Sequence, residues 1–133
     1  MNLLREALKS KLFIMTTVQA MDAVRRGDGF TFNPATDSFV EVGDPYYIVS
    51  YPDGGLVVDA DSVDAFLIRW FVNKHRPYIT GGWAHEGKYY LDKCFAVKDK
   101  ETALYLGKRW GQTAIWDANT GQNIFLNEDK VAV

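Results

Sequence analysis

Short turn sequences separate the β-rich segments of this chain, and they constrain its fold more than any other feature. Residues 33–37 read Asn-Pro-Ala-Thr-Asp and residues 117–121 read Asp-Ala-Asn-Thr-Gly, which are residue types that tight turns favour. Strands joined by turns this short run antiparallel. We therefore expect a three- or four-stranded antiparallel meander between residues 30 and 58, with the apolar segment 46–51 at its centre. Further antiparallel strands are expected after residue 80.

Four helices are predicted around this sheet. Two lie near the N-terminus, over residues 2–12 and 17–26, where apolar residues recur at helical spacing. The buried face of the second would be formed by Val18, Met21 and Val24. A third helix begins after a capping carboxylate at Asp59 or Asp61, and a fourth begins after Asp99. The spacing in the third helix predicts one buried apolar face, formed by Val63, Phe66, Leu67, Trp70 and Phe71.

The predicted fold class is α+β: an antiparallel sheet meander with two N-terminal helices and two amphipathic helices packed on the sheet. A length of 133 residues fits one domain with its own core, so we predict a single domain over residues 1–133. The alternative division is into sub-units 1–77 and 78–133. A homodimer is one expected assembly, because two-fold dimers are the commonest closed oligomers.

Charge and composition exclude several classes of protein. The net charge of −2 argues against a general nucleic-acid binder, which needs a large excess of basic residues. The one cysteine, Cys94, cannot form an intramolecular disulfide. The first eleven residues mix charged residues with leucines, unlike a signal peptide, and no apolar run is long enough to span a membrane. We expect a cytoplasmic protein without membrane contact.

Residues that commonly carry chemistry are sparse, so the sequence predicts a protein that is not an enzyme and has no metal or cofactor. His85-Glu86 begins like a zinc-protease motif, but Tyr89 stands where the second histidine should be. Cys94 lies within a predicted strand and is interpreted as a structural, half-buried thiol. The other candidate, His75, has no motif around it. A pair of catalytic carboxylates stays open, because such pairs have no local sequence signature.

Aromatic and acidic residues supply the candidate binding site. Residues 27–64 contain eight Asp or Glu residues and no Lys or Arg. We expect a turn and a helix start to bring four carboxylates together beside an exposed tyrosine: Tyr51, Asp53, Asp59, Asp61 and Asp64. The alternative is that these acids only cap helices and form turns, and that the aromatic residues of the strands belong to the core.

Residues 89–126 carry a resemblance to small accessory proteins of bacteriophages and other mobile elements. In those proteins a strand, a charged cap and a helix precede the phrase Gln-x-Ala-Ile-x-Asp and a turn with glycine. The matching residues are Gln112, Ala114, Ile115, Asp117 and Gly121. The resemblance covers about a third of the chain and implies an origin rather than an activity, and no functional residue is carried over from it.

These observations lead to three hypotheses of function. The first is an accessory protein that acts as a protein-binding module, inhibiting a bacterial defence system by binding a host or defence protein with a basic surface. The second is a structural component of a virion or of its assembly. The third is a small hydrolase or nucleotide-binding protein, which a deep polar pocket with titratable groups would favour.

Overall fold

A computed structural model describes residues 17–126, which form a curled antiparallel sheet of eight strands with three α-helices. In chain order the elements are α1 (17–25), β1 (Phe30–Asn33), β2 (Ser38–Phe39), β3 (Tyr47–Ser50), β4 (Leu56–Asp59), a 3₁₀ turn (Ala60–Ser62), α2 (Ala65–His75), β5 (Ile79–His85), β6 (Lys88–Val97), α3 (Lys100–Arg109), β7 (Ala114–Asp117) and β8 (Gln122–Phe125). The predicted α+β class and the antiparallel pairing are confirmed. The helix predicted over 2–12 lies outside the described residues.

The ten-residue strand β6 is the centre of the sheet. Its one edge pairs with β5 over seven residue pairs, from His85↔Lys88 to Ile79↔Cys94. Its other edge is shared, because β4 pairs with the first part of β6 and β3 pairs with the last part. The strand order across the sheet is β2-β1-β5-β6-β3-β7-β8. Among the strands of residues 17–126, β4 pairs only with β6 and precedes β3 along the same edge of that strand, so β3 and β4 do not pair with each other.

The predicted meander between residues 30 and 58 is wrong in its connections. β1 and β2 form the expected hairpin, but β3 lies between β6 and β7 instead of beside β2. Both β3 and β4 run antiparallel to β6, so the chain keeps its direction from one to the other. The segment 51–55, which was expected to reverse the chain, therefore interrupts what is otherwise one long edge.

One face of the sheet carries two hydrophobic cores. Successive residues of a strand point to opposite faces, so the odd-numbered residues of β6 share this face. Tyr89 and Leu91 belong to a core with α1 and α2. Val97 packs against a second core, which includes Val49 and is covered by α3. Each helical layer therefore covers only part of the same sheet face.

The two amphipathic helices begin at capping carboxylates. Asp99 accepts a hydrogen bond from the Thr102 amide at 2.9 Å, which confirms the predicted start of α3. Asp64, not Asp59 or Asp61, caps α2 by accepting from the Leu67 amide at 2.8 Å. The correction has a local cause, because the 3₁₀ turn over Ala60–Ser62 delays the start of the helix.

Because α2 begins later than predicted, its buried face differs from the predicted one. Ile68, Phe71 and Val72 face the core, whereas Phe66 is 75% exposed and Trp70 is 45% exposed. The predicted burial of Phe66 and Trp70 is therefore wrong. Val63 is buried as expected, although it precedes the helix. In α1, Met21 is buried but Val18 is exposed, because Ala20 and Ala23 occupy the inward face.

The corrected face of α2 predicts losses of stability of different size for two neighbouring aromatic residues. Phe71→Ala should lower the free energy of unfolding by about 3–5 kcal/mol, since it removes a large buried side chain. Trp70→Ala should lower it by about 1 kcal/mol or less, because the ring is largely exposed and contacts Lys74 mainly through a cation–π interaction. Urea unfolding followed by circular dichroism measures both. A larger loss for Trp70→Ala than for Phe71→Ala would contradict this assignment.

Candidate binding surface around Tyr51

The sheet face that bears the two cores contains a stretch between them where aromatic rings gather. On β6 this stretch is occupied by Lys93 and Phe95, between Leu91 of the first core and Val97 of the second. Tyr51 follows β3 and is held there because its amide donates a hydrogen bond to the Lys93 carbonyl at 2.9 Å. Its ring therefore lies between the regions that α2 and α3 cover.

Two glycines allow the segment 51–55 to pass this position. Gly54 has a φ of +81°, a conformation that residues with a side chain rarely adopt. A Cβ atom at Gly55 would lie 2.8 Å from the Asp92 Oδ1 atom, so glycine is needed for this close approach. The segment can then remain close to β6 between the two paired strands.

Three aromatic rings contact the ring of Tyr51. Its ring stacks on Trp110 with centroids 5.1 Å apart and an interplanar angle of 22°. Tyr78 meets it edge-on at 5.6 Å, and Phe95 lies tilted at 6.0 Å. Each such pair contributes on the order of 1 kcal/mol beyond the area it buries. We call these four residues together with Lys93 the Tyr51 cluster.

Lys93 joins the rings to a carboxylate. Its ammonium group lies 4.9 Å from the Tyr51 centroid and 4.8 Å from the Tyr78 centroid, within cation–π range. Asp53 approaches the same ammonium group with an Nζ–Oδ1 distance of 3.6 Å. Burial raises the pKa of the Tyr51 hydroxyl, Tyr78 acts in the same direction, and Lys93 opposes them. Tyr51 therefore stays neutral at physiological pH and can offer a hydroxyl donor.

Part of the Tyr51 cluster is open to solvent. Tyr78 is 46% exposed and Phe95 is 41% exposed, while Tyr51 and Trp110 are half-buried beneath them. The two outer rings are therefore held by contacts with the Tyr51 ring and remain partly exposed. Such rigid aromatic side chains bury much area in a complex at little cost in conformational entropy.

The structure separates the five residues that the sequence placed in one site. Tyr51 and Asp53 lie together beside Lys93, as expected. Asp59 forms an ion pair with Lys88, which lowers the pKa of the Asp59 carboxyl, and Asp61 and Asp64 follow it in the chain. Lys88 and Lys93 are five residues apart on β6, so the two groups lie about 16 Å apart along the strand. The expected acidic rim around Tyr51 is therefore reduced to Asp53.

The opposite face of the sheet lines a cavity of about 770 Å³. On β6 the even-numbered residues Asp92 and Cys94 line it, and Ser50 of β3, which pairs with Cys94, lines it beside them. Burial raises the pKa of the Asp92 carboxyl to about 6, although a hydrogen bond with Ser50 favours the ionised form. The lining therefore includes a carboxyl group that changes charge just below neutral pH.

Cys94 is more deeply placed than the expected half-buried thiol. Its side chain is buried, and the Sγ atom donates to the Asp92 carbonyl at 3.5 Å. Burial raises the pKa of the thiol to about 12, with the nearby Asp92 charge acting in the same direction. A thiol with such a pKa is neutral at physiological pH and is a poor nucleophile. Gly81 makes room for it, because a Cβ there would lie 3.2 Å from Sγ.

Sequence reasoning missed Asp92, although a signal was present. Aspartate is depleted from strand interiors, so Asp92 within the alternating residues 88–97 stands out. The Tyr51 cluster had a weaker signal, because Tyr78, Phe95 and Trp110 come from separate segments that only the tertiary structure brings together. Tyr89 of β6, by contrast, is completely buried.

Within residues 17–126, no group of three or more His, Cys, Asp or Glu side chains is arranged to hold a metal ion. None of the helices in the same range has the length and apolar character that a membrane crossing requires. No protein-family model, no curated protein and no solved structure matches the chain.

The buried carboxyl group of Asp92 predicts a pH-dependent stability. Because its pKa is about 6 in the folded protein and close to 3.8 when unfolded, the folded state holds the proton to higher pH. The protonated Asp92 carboxyl group therefore favours the folded state at low pH, and this contribution to the free energy of unfolding is lost as the pH rises from about 4 to 6. Asp92→Asn should therefore raise the free energy of unfolding at pH 7, by about 3 kcal/mol, and leave it nearly unchanged below pH 4.

Urea unfolding at several pH values between about 3.5 and 7 measures this difference. The control is Asp53→Asn, an exposed carboxylate on the other face, which should change the stability by less than about 0.5 kcal/mol at each pH. A lower stability of Asp92→Asn at pH 7 would show that the ionised carboxylate stabilises the fold.

Proposed function

We propose that this protein is a non-enzymatic binding module that engages a partner protein through the Tyr51 cluster. The observation that carries the proposal is the convergence of four aromatic rings on one surface between the two helix-covered regions. Tyrosine and tryptophan are the residues most enriched where protein interfaces gain their binding energy. Here the outer rings are fixed before binding, so little conformational entropy is lost on association.

The charges beside the rings favour a partner that presents arginine. Asp53 has a side chain that is 77% exposed and lies next to the cluster through Lys93. A guanidinium group can stack on an aromatic ring and pair with a carboxylate at the same time, which an ammonium group does less well. A basic protein surface is therefore the proposed partner, with Tyr78 and Phe95 as the apolar contacts and Asp53 at the rim.

The resemblance of residues 89–126 to accessory proteins of bacteriophages and mobile elements supports this type of function. Proteins of that kind often act by occupying a surface of a host or defence protein. Binding rather than catalysis is also supported by Cys94, whose thiol has a pKa of about 12 and stays protonated. We accordingly propose an accessory protein that blocks a basic surface of a bacterial protein.

A comparison of two double variants tests this proposal. The protein with Tyr78→Ala and Phe95→Ala loses the exposed rings of the Tyr51 cluster. The matched control carries Tyr105→Ala and Phe125→Ala, which remove two exposed aromatic rings from α3 and β8. Each protein is used to capture binding partners from a bacterial lysate, and the partners are quantified by mass spectrometry. We expect at least one protein to be captured by the wild type and by the control but not by the cluster variant.

The purified partner then allows the affinities to be measured. The dissociation constant for the cluster variant should be at least tenfold larger than for the wild type, because truncating an interface anchor costs more than about 1 kcal/mol. Asp53→Lys should slow association at low salt without a comparable effect on dissociation. Equal capture by both double variants, or a partner that binds unaffected by all these changes, would overturn the proposal.

A further inference from the structure

The cavity on the other face of the sheet has the form of a ligand site and is independent of the Tyr51 cluster. Side chains from β3, β5, β6 and β7 line it, and residues 40–42 contribute further lining. The latter segment reaches the far end of the sheet, since the Gly43 amide donates to the Ala118 carbonyl at 2.8 Å. The side chain of Val42 lies against the turn between β7 and β8, since a Cβ atom at Gly121 in that turn would be 2.8 Å from the Val42 Cγ2 atom. The cavity volume of about 770 Å³ lies within the range of small-molecule sites.

Among the lining residues within 17–126, the charged ones are mostly acidic. Asp28, Glu41 and Asp92 are among the lining residues, together with one basic residue, Arg26. The guanidinium group of Arg26 is paired with the Asp28 carboxylate at 3.3 Å. The acidic groups therefore exceed the basic ones, and a cationic ligand is the one that complements the cavity.

Asp92 is the acidic group that is best placed to hold such a ligand. The residue opposite it on β5 is Gly81, which carries no side chain, so the carboxylate has space toward the cavity. Ser50 is its hydrogen-bonding neighbour from β3, and Gly55 lies against Oδ1 from the segment 51–55. The titratable neighbour on β6 is Cys94, which is neutral at physiological pH. No basic side chain is therefore among these neighbours of the carboxylate.

An aromatic side chain lines the same cavity from the neighbouring strand, on the same sheet face as this carboxylate. Trp83 lines the cavity from β5, two residues beyond Gly81, and therefore points to the same face. Its ring stacks on His85 at 5.1 Å and lies 5.6 Å from Tyr90, so its position is fixed by neighbouring rings. A tryptophan face beside a carboxylate is a suitable environment for an ammonium group with an apolar body.

From this arrangement we propose that the cavity binds a small organic cation, a primary amine whose ammonium group contacts Asp92 and whose apolar body packs against Trp83. This site lies on the sheet face opposite the Tyr51 cluster, so it extends the proposed function and does not depend on it. The bound ammonium group stabilises the ionised carboxylate, and binding should therefore weaken when Asp92 takes up a proton.

Three matched probes test the ligand class: phenethylamine, the neutral 2-phenylethanol and the anionic 3-phenylpropionate. Binding to the full-length protein is followed by NMR through the four tryptophan indole N–H signals, each assigned with a Trp→Phe variant. Titrations extend into the millimolar range that is expected for ligands of this size. We expect phenethylamine to shift the Trp83 signal at concentrations at least tenfold lower than the other two probes. The signals of Trp70 and Trp110, which do not line the cavity, should stay unchanged.

The carboxylate is tested with Asp92→Asn, which preserves the size of the side chain. This variant should bind phenethylamine at least tenfold more weakly, whereas Asp53→Asn on the other face should bind it as the wild type does. The wild type should also bind about tenfold more weakly at pH 5 than at pH 7.5, because only about one carboxyl group in ten is ionised one pH unit below its pKa.

Two results would overturn the proposal. One is that phenethylamine fails to shift Trp83, or binds no better than 2-phenylethanol. The other is that Asp92→Asn remains folded by circular dichroism and binds the amine with unchanged affinity. Neither result would bear on the Tyr51 cluster, whose partner is tested with different variants.

Discussion

The pairing of β6 with β5 along one edge and with β4 and β3 along the other is the constraint on which both candidate sites depend. A strand with neighbours on both sides cannot slip by one residue, because every side chain would then move to the opposite face. The register fixes Lys93 on the face of the hydrophobic cores and Asp92 on the face of the cavity. Two adjacent residues of opposite charge thus lie on two separate surfaces.

The interruption of the strand edge at residues 51–55 explains the surroundings of Lys93 and Asp92. Elsewhere β6 is paired by regular strands, but β4 ends its pairing at Leu91 and β3 begins its pairing at Cys94. Between them the chain leaves the regular register, which brings the ring of Tyr51 over Lys93 and the backbone of Gly55 against Asp92. One local departure from regular strand pairing therefore shapes the chemistry of both faces.

Local sequence signals predicted the parts of the fold that depend on neighbouring residues. The turns at residues 33–37 and 117–121 and the cap at Asp99 are confirmed, because each is decided by a few consecutive side chains. The neighbours of β3 and β4 could not be predicted in this way. Proline and glycine in the segment 51–55 are compatible with a reversal or with an interruption, and the choice depends on the long edge of β6, about forty residues away.

The helix α2 shows a second limit of sequence reasoning. Apolar residues occur all around it, so their spacing permits more than one buried face. A start at Asp64 and contacts with the sheet select Ile68 and Phe71 as the buried positions and leave Phe66 and Trp70 outside. The candidate site was predictable to a similar extent: Tyr51 and Asp53 are close in sequence, but the rings that support Tyr51 come from distant segments.

The acidic segment between residues 27 and 64 is explained mainly by local interactions. Asp44 accepts from the Glu41 amide at 2.8 Å, Asp64 caps α2, and Asp59 pairs with Lys88. Asp59 and Asp64 are exposed, and exposed charges contribute little free energy because water screens them. In the proposed complex, the charge of Asp53 would therefore act mainly on the rate of encounter at the Tyr51 cluster. The proposal assigns the free energy of binding to the aromatic rings, because they combine a fixed position with a large area that a partner can bury.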